Sequence, residues 1–180
     1  SPFCETYFDN AYAEKRNLVG EAGKGWTIAK YLLTHERAMI SGFGTVQGKS
    51  LGDSAISAFG KDHSGRLSNG ILRQNIAQYQ LDAMAFSTTM SRVGEEVTSG
   101  QGLGAASSIF KYYGTELNKR RNELNLAVGG ESALGWEGQS YNEGAVARDW
   151  LRSKGNSIEG GTSEVQLNIV AKRVLGLPSQ

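Results

Sequence analysis

Glu36 is the residue whose setting asks for a chemical explanation. Leu32, Glu36, Met39 and Phe43 are spaced i, i+4, i+7 and i+11, so a helix places this carboxylate on an apolar stripe. A carboxylate turned toward apolar surroundings loses solvation, its pKa rises, and it becomes suited to abstracting a proton. Arg37 follows directly, however, and a salt-bridged surface face of the helix explains the same pair. Periodicity leaves both possibilities open. A second acid, Glu159, opens the run Glu159-Gly160-Gly161-Thr162-Ser163-Glu164. Here Thr162 reads as an N-cap, and Glu164 falls in the first helical turn, where the helix dipole favours an acid. The same helix start would present free N–H groups to a phosphate or to the polar edge of a bulky cofactor. Gly129-Gly130 likewise serves either as a helix stop or as a place where backbone approaches a ligand closely.

Other chemistries find little support. A di-iron bundle needs Glu-x-x-His pairs with further inward carboxylates; the two histidines, His35 and His63, lack a glutamate three residues earlier, so no metal centre is expected. No G-x-G-x-x-G follows a strand and no Walker sequence is present. Lys plus Arg total 19 and Asp plus Glu 18, so no strong field marks nucleic acid or an anionic membrane as partner. No window approaches the apolar length of a membrane span. Cys4 is the single cysteine, which fits a reducing, cytoplasmic setting and reads as an inert thiol. The start at Ser1-Pro2-Phe3-Cys4 shows no signal peptide.

The elements that must carry these residues are helical. Twenty-four glycines against two prolines cluster at 42–52, 60–70, 100–104, 129–138 and 155–161, as turns between helices would. Residues 6–13 alternate weakly and predict a short strand. The spacing predicts a first helix from Trp26 to about Phe43, while 45–59 is glycine-interrupted and ambiguous. Across 71–93, Leu72, Ile76, Tyr79, Ala83, Phe86, Met90 and Val93 alternate four- and three-residue steps, the seam of a bundle helix. A helix from about Ala105 to Val128 should turn Ile109, Tyr113, Leu117 and Leu124 inward and Lys119, Arg120 and Arg121 largely outward. Shorter helices are expected near 141–153 and 163–174, the last stopped by Gly176 and Pro178. These lengths predict an all-α, antiparallel up-down four-helix bundle.

Several segments carry a family resemblance. Asn17-Leu18-Val19-Gly20-Glu21-Ala22-Gly23-Lys24-Gly25-Trp26 resembles the junction between the middle β-domain and the C-terminal helical domain of acyl-CoA dehydrogenases. Ile158 to Gln166, followed by Ala171-Lys172-Arg173-Val174-Leu175-Gly176-Leu177-Pro178, is similar to that family's terminal motif. Gly129-Gly130 before Trp136 completes the order. The resemblance implies residues 1–21 as trailing strand and linker of a β-domain and 22–180 as the C-terminal bundle. The family's N-terminal helices and most of its β-domain have no counterpart, so the chain alone is expected to be inactive.

The resemblance further implies FAD bound across a subunit interface of a homo- or hetero-tetramer, an acyl-CoA substrate, and transfer of electrons to an electron-transfer flavoprotein. In the family a glutamate removes the α-proton while hydride leaves the β-carbon, giving the trans-2-enoyl-CoA. Many members hold that base directly before the Gly-Thr pair, which here is Gly160; Glu159 is one residue early. Others hold it on the first bundle helix before an arginine, which matches Glu36 before Arg37. Glu36 is therefore the expected base, Glu159 the fallback, and Arg37 an expected substrate contact. Gly129, Gly130, Thr162 and Glu164 are the expected cofactor contacts, with Arg66 a loose replacement for a missing Arg-x-Thr-Phe-Gly segment. Leu126 and Leu167 also replace the glutamine and arginine that the pattern expects. A noncatalytic structural subunit of a hetero-oligomeric dehydrogenase, and a stand-alone interaction module, are the rival expectations. The wording of the terminal motif is nearest to bacterial dehydrogenases of steroid side chains, dicarboxylic or other bulky acyl groups.

Overall fold

A computed structural model describes residues 4–41, 50–100 and 106–178, without the side chains of 34, 35, 37–41 and 106. Six α-helices follow in order: α1 Gly25–Ser41, α2 Leu51–Phe59, α3 Gly70–Thr98, α4 Ala106–Gly129, α5 Ala145–Gly155 and α6 Ser163–Ile169. Short 3₁₀ turns occupy Lys15–Asn17, Gly130–Leu134 and Gln139–Gly144, and α6 runs on into a π-turn at Val170–Val174. Met39 lies on α1 with its side chain outside the described atoms, and Phe43 lies outside the described residues.

Local chemistry sets the helix ends. Ser50 caps α2 by accepting from the Gly52 N–H at 3.2 Å, and α2 stops at Gly60, whose φ of 72° is the left-handed conformation glycine adopts freely. Asn69 caps α3 through the Leu72 N–H at 3.0 Å. Between them, Asp62 folds the 61–67 turn by accepting from the N–H groups of Ser64 and Arg66. Those bonds hold its carboxyl below the usual range, the Arg66 N–H contributing most.

The bundle is organised around α4, against which α1, α2, α3, α5 and α6 all pack. Two of these neighbours, α3 and α5, run antiparallel to it. On one side Leu72 lies near Ala127, Asp82 pairs with Arg120 at 2.7 Å, and Phe86 meets Phe110 edge-on at 5.9 Å. On the other, Asn125 lies near Asp149, Glu123 pairs with Lys154 at 2.6 Å, and Asn118 donates to Asn156 at 2.8 Å. The apolar core is the α2–α3–α4 face: Leu51, Ala55, Leu67, Leu72, Ile76, Tyr79, Phe86, Val93, Phe110, Leu117 and Leu124. Every predicted seam residue of α3 is in this cluster or packed against it.

Two expectations need correction. Residues 6–13 form no β-ladder: the chain there is exposed and without regular structure, because a strand exists only through a paired neighbour. On α4, Ile109 and Tyr113 are more than a third exposed, and Phe110 takes the expected inward place. Lys119, Arg120 and Arg121 are all half-buried instead of outward. A helix enclosed by neighbours on two sides has two inward faces, and a single apolar stripe describes only one of them. No helix among the described residues is long and apolar enough to cross a membrane.

Candidate functional site

The two candidate bases sit in opposite electrostatic settings. Glu36 is half-buried on α1, the helix packed against α4, and no hydrogen bond or ion pair holds its carboxylate among the described residues. Leu32, one turn earlier, is 66% exposed, and Tyr31 and Trp26 are comparably open. Leu32, the described apolar member of the stripe that carries Glu36, is thus not part of this chain's core. The side chain of Arg37 lies outside the described atoms.

Glu159 is fully engaged. Arg152 Nη2 donates to Oε2 at 2.8 Å, and Asn156 Nδ2 donates to Oε1. Burial pushes its pKa upward, but the hydrogen bonds from Arg152 and Asn156, with the charges of Arg152 and Lys111, outweigh it and hold the carboxyl below the usual glutamate range. A carboxylate held this way is a weak base with both oxygens occupied.

Glu159 belongs to a network that pins the terminal motif to α4. Lys111 is fully buried, and its Nζ donates to the Asn156 carbonyl at 2.9 Å; Thr115 Oγ1 reaches the same carbonyl at 3.4 Å. Burial pushes the Lys111 pKa down, against the upward pull of Glu159, Glu116 and Glu164. Lys119 spans Glu116 and Ser157, the latter at 3.0 Å. Past the turn, the buried Gln166 donates from Nε2 to the Gly160 carbonyl at 3.0 Å. Sequence reasoning missed Lys111 and Gln166, because nothing local distinguishes a buried lysine or glutamine on a helix from a solvated one.

The expected cofactor residues separate into two groups. Thr162 caps α6 by accepting from the Val165 N–H at 3.3 Å, and its hydroxyl in turn bonds the Glu164 carboxylate. Ser163 N–H is taken by the Ser157 carbonyl, so the start of α6 is largely closed by its own chain, contrary to the expectation of free N–H groups. Glu164 is exposed, and bonds from its own N–H and from Thr162 hold its pKa low. Gly129 and Gly130 lie at the other end of α4. A Cβ on Gly129 would sit 2.5 Å from that of Ala133, whereas Gly130, at φ 55°, faces open space. Arg66 is exposed and tied within its own turn, to Ser64 Oγ at 3.0 Å and Asp62 at 3.6 Å. From Lys111, beneath the terminal motif, to Gly129 is 18 residues of α4, or about 27 Å at 1.5 Å per residue. Among the described residues no three His, Cys, Asp or Glu side chains gather as a metal set.

Residues 23–175 match the family described as acyl-CoA dehydrogenase, C-terminal domain. The chain belongs to that family. It is 29% identical over 185 residues to acyl-CoA dehydrogenase FadE34 of Mycobacterium tuberculosis, covering 99% of this chain and 23% of that protein. It is 28% identical over 180 residues to acyl-CoA dehydrogenase IpdE1 of Mycolicibacterium smegmatis, covering 100% of this chain and 44% of that protein. The domain thus spans less than half the length of these relatives. Among solved structures, the ChsE4–ChsE5 complex of Mycobacterium tuberculosis superposes with a TM-score of 0.64 at 26% identity, over 89% of this chain and 42% of that one. The Tcur3481-Tcur3483 steroid ACAD superposes with a TM-score of 0.72 at 23% identity over the same shares, a likeness of fold.

Proposed function

We propose that this domain supplies the catalytic base and part of the cofactor site of an FAD-dependent acyl-CoA dehydrogenase acting on a bulky acyl-CoA thioester. The observation that carries the assignment is the contrast between the two acids. Glu36 is unpaired among the described residues, one turn after the exposed Leu32, whereas Glu159 has both oxygens occupied and a depressed pKa. Covered by the partner surfaces of an assembled enzyme, Glu36 would accept the substrate's α-proton on a carboxylate oxygen. FAD, when bound, supplies the hydride acceptor, and an electron-transfer flavoprotein is the proposed onward acceptor.

Two places fit such a cofactor: the Thr162 turn, joined to α4 through the Lys111 network, and Gly130, which offers open backbone past the far end of α4. The length of α4 from Lys111 to Gly129, about 27 Å, supports a cofactor shared between chains, each chain using its two ends for two different copies. The exposed Trp26, Tyr31, Leu32 and Ile71 support the same assembly, a homo- or hetero-tetramer, since so much apolar surface favours burial against another chain or domain.

Single-turnover flavin reduction in the full-length enzyme tests the proposal. Glu36→Gln should slow reduction by about 10²–10⁴-fold while acyl-CoA binding survives. Wild-type reduction in that variant, with reduction abolished in Glu159→Gln, reverses the assignment. If neither variant slows the reaction, the domain is a structural subunit.

A further inference from the structure

Arg121 stands apart from the other cations of α4. Lys111 donates to the Asn156 carbonyl, Lys119 to Glu116 and Ser157, and Arg120 to Asp82. Arg121 has no hydrogen-bond or ion-pair partner among the described residues, and its Nε is buried without an acceptor. A guanidinium stays charged at any accessible pH, so a buried, unpaired edge is a standing demand for an anion.

The place where Arg121 sits gives that anion its shape. Arg121 borders two cavities: a polar one that it shares with Asn125, Asp149 and Arg152, and an open cleft of about 510 Å³ between α2, α3 and α4, whose other walls include Leu51, Tyr79, Ala83 and Met84. Such a volume accommodates a small organic ligand. Apart from Arg121 and the rim residues Ser50 and Gln80, the described lining of the cleft is apolar, and Met84, 67% exposed, is a flexible side chain able to close over an aliphatic guest. Among the described lining residues Arg121 is the one cation, which suits a monoanion; a phosphate dianion asks for more charge. A planar guanidinium also matches a carboxylate edge to edge.

We propose that the cleft between α2, α3 and α4 binds an amphipathic monocarboxylate, its carboxylate on Arg121 and its aliphatic body against Leu51, Tyr79, Ala83 and Met84. Glu36, Thr162 and Gly130 are not among the residues described as lining the cleft, so the proposal does not rest on the dehydrogenase assignment.

Calorimetric titration of this chain with octanoate and with octanol provides the test, alongside sedimentation of the same samples. Octanoate should bind at least tenfold more tightly than octanol. Arg121→Gln should remove that preference while leaving octanol affinity unchanged, and Ala83→Trp, which fills the cleft, should abolish both with the helical circular dichroism retained. Equal affinity for the two ligands, or full octanoate affinity in Arg121→Gln, would overturn the proposal. So would a self-associated state that Arg121→Gln dissociates and octanoate does not: the acceptor would then be an acidic side chain of a second copy.

Discussion

Gly161→Ala should destabilise the terminal turn through two separable effects. Gly161 has a φ of 93°, which an L-residue with a side chain adopts at a cost of about 1–2 kcal/mol. Its new Cβ would also lie 2.5 Å from Gln166 Nε2 and 3.7 Å from Gln166 Cδ. The amide must retreat by about 1 Å to reach ordinary van der Waals separation, and that motion breaks the 3.0 Å bond to the Gly160 carbonyl. Gln166 is fully buried and its Oε1 already lacks a donor, so the displaced amide finds no new partner nearby. Losing that bond adds about 0.5–1.5 kcal/mol. The sum is about 1.5–3.5 kcal/mol, or a Tm lower by roughly 5–10 °C for a chain of this size. Urea unfolding of four variants separates the terms: wild type, Gly161→Ala, Gln166→Ala and the double substitution. In the Gln166→Ala background, Gly161→Ala should cost only the backbone strain, leaving a coupling of about 0.5–1.5 kcal/mol. Strict additivity, or an indifferent Gly161→Ala, would refute the claim that this side chain and this turn are packed as one unit.

Other outcomes follow from the same network and core. Glu159 has a folded pKa below its unfolded value, so its stabilisation is complete above the ordinary glutamate range and is lost as pH falls through the folded value. Acid unfolding of Glu159→Gln should lack that limb while the wild type shows it. Lys111 is also depressed, so the unfolded chain binds the proton more readily and wild-type stability should climb as pH rises toward the ordinary lysine value; alkaline urea titrations of Lys111→Met should be flat over that range. Phe86→Ala removes the ring that contacts both Phe110 and Tyr113, and should lower the unfolding free energy by about 3–5 kcal/mol with little loss of helix content in the surviving folded state. This chain, purified by itself, should carry little visible absorbance near the flavin band; stoichiometric yellow colour would contradict a cofactor site divided between chains.

What the sequence by itself determined is what depends on local chemistry and one-dimensional period. The seam from Leu72 to Val93 was legible because α3 buries a single apolar face, and 3.6-residue geometry maps such a face directly onto spacing. The Thr162 cap and the stop at Gly176 were legible because capping involves neighbours within a turn. The expected strand at 6–13 has no ladder in this chain, because alternation describes a strand's side chains and says nothing of whether a partner is there to pair with it.

Tertiary structure decided the rest. On α4 the polar face turned toward α5 is as buried as the apolar face turned toward α3, so Lys111, Thr115 and Asn118 spend their hydrogen bonds on residues 38 to 45 positions away. The basic run Lys119-Arg120-Arg121 reads as one solvated patch, yet its members reach three different environments: Ser157, Asp82 and an unpaired cleft wall. The choice between Glu36 and Glu159 shows the same division. Spacing and resemblance named both acids, but the state of Glu159 depends on Arg152 and Asn156 in the turn that ends α5, and on the charge of Lys111 brought beside it by α4. Burial and charge pairing are properties of where elements meet, and helical periodicity specifies a face without specifying what comes to cover it.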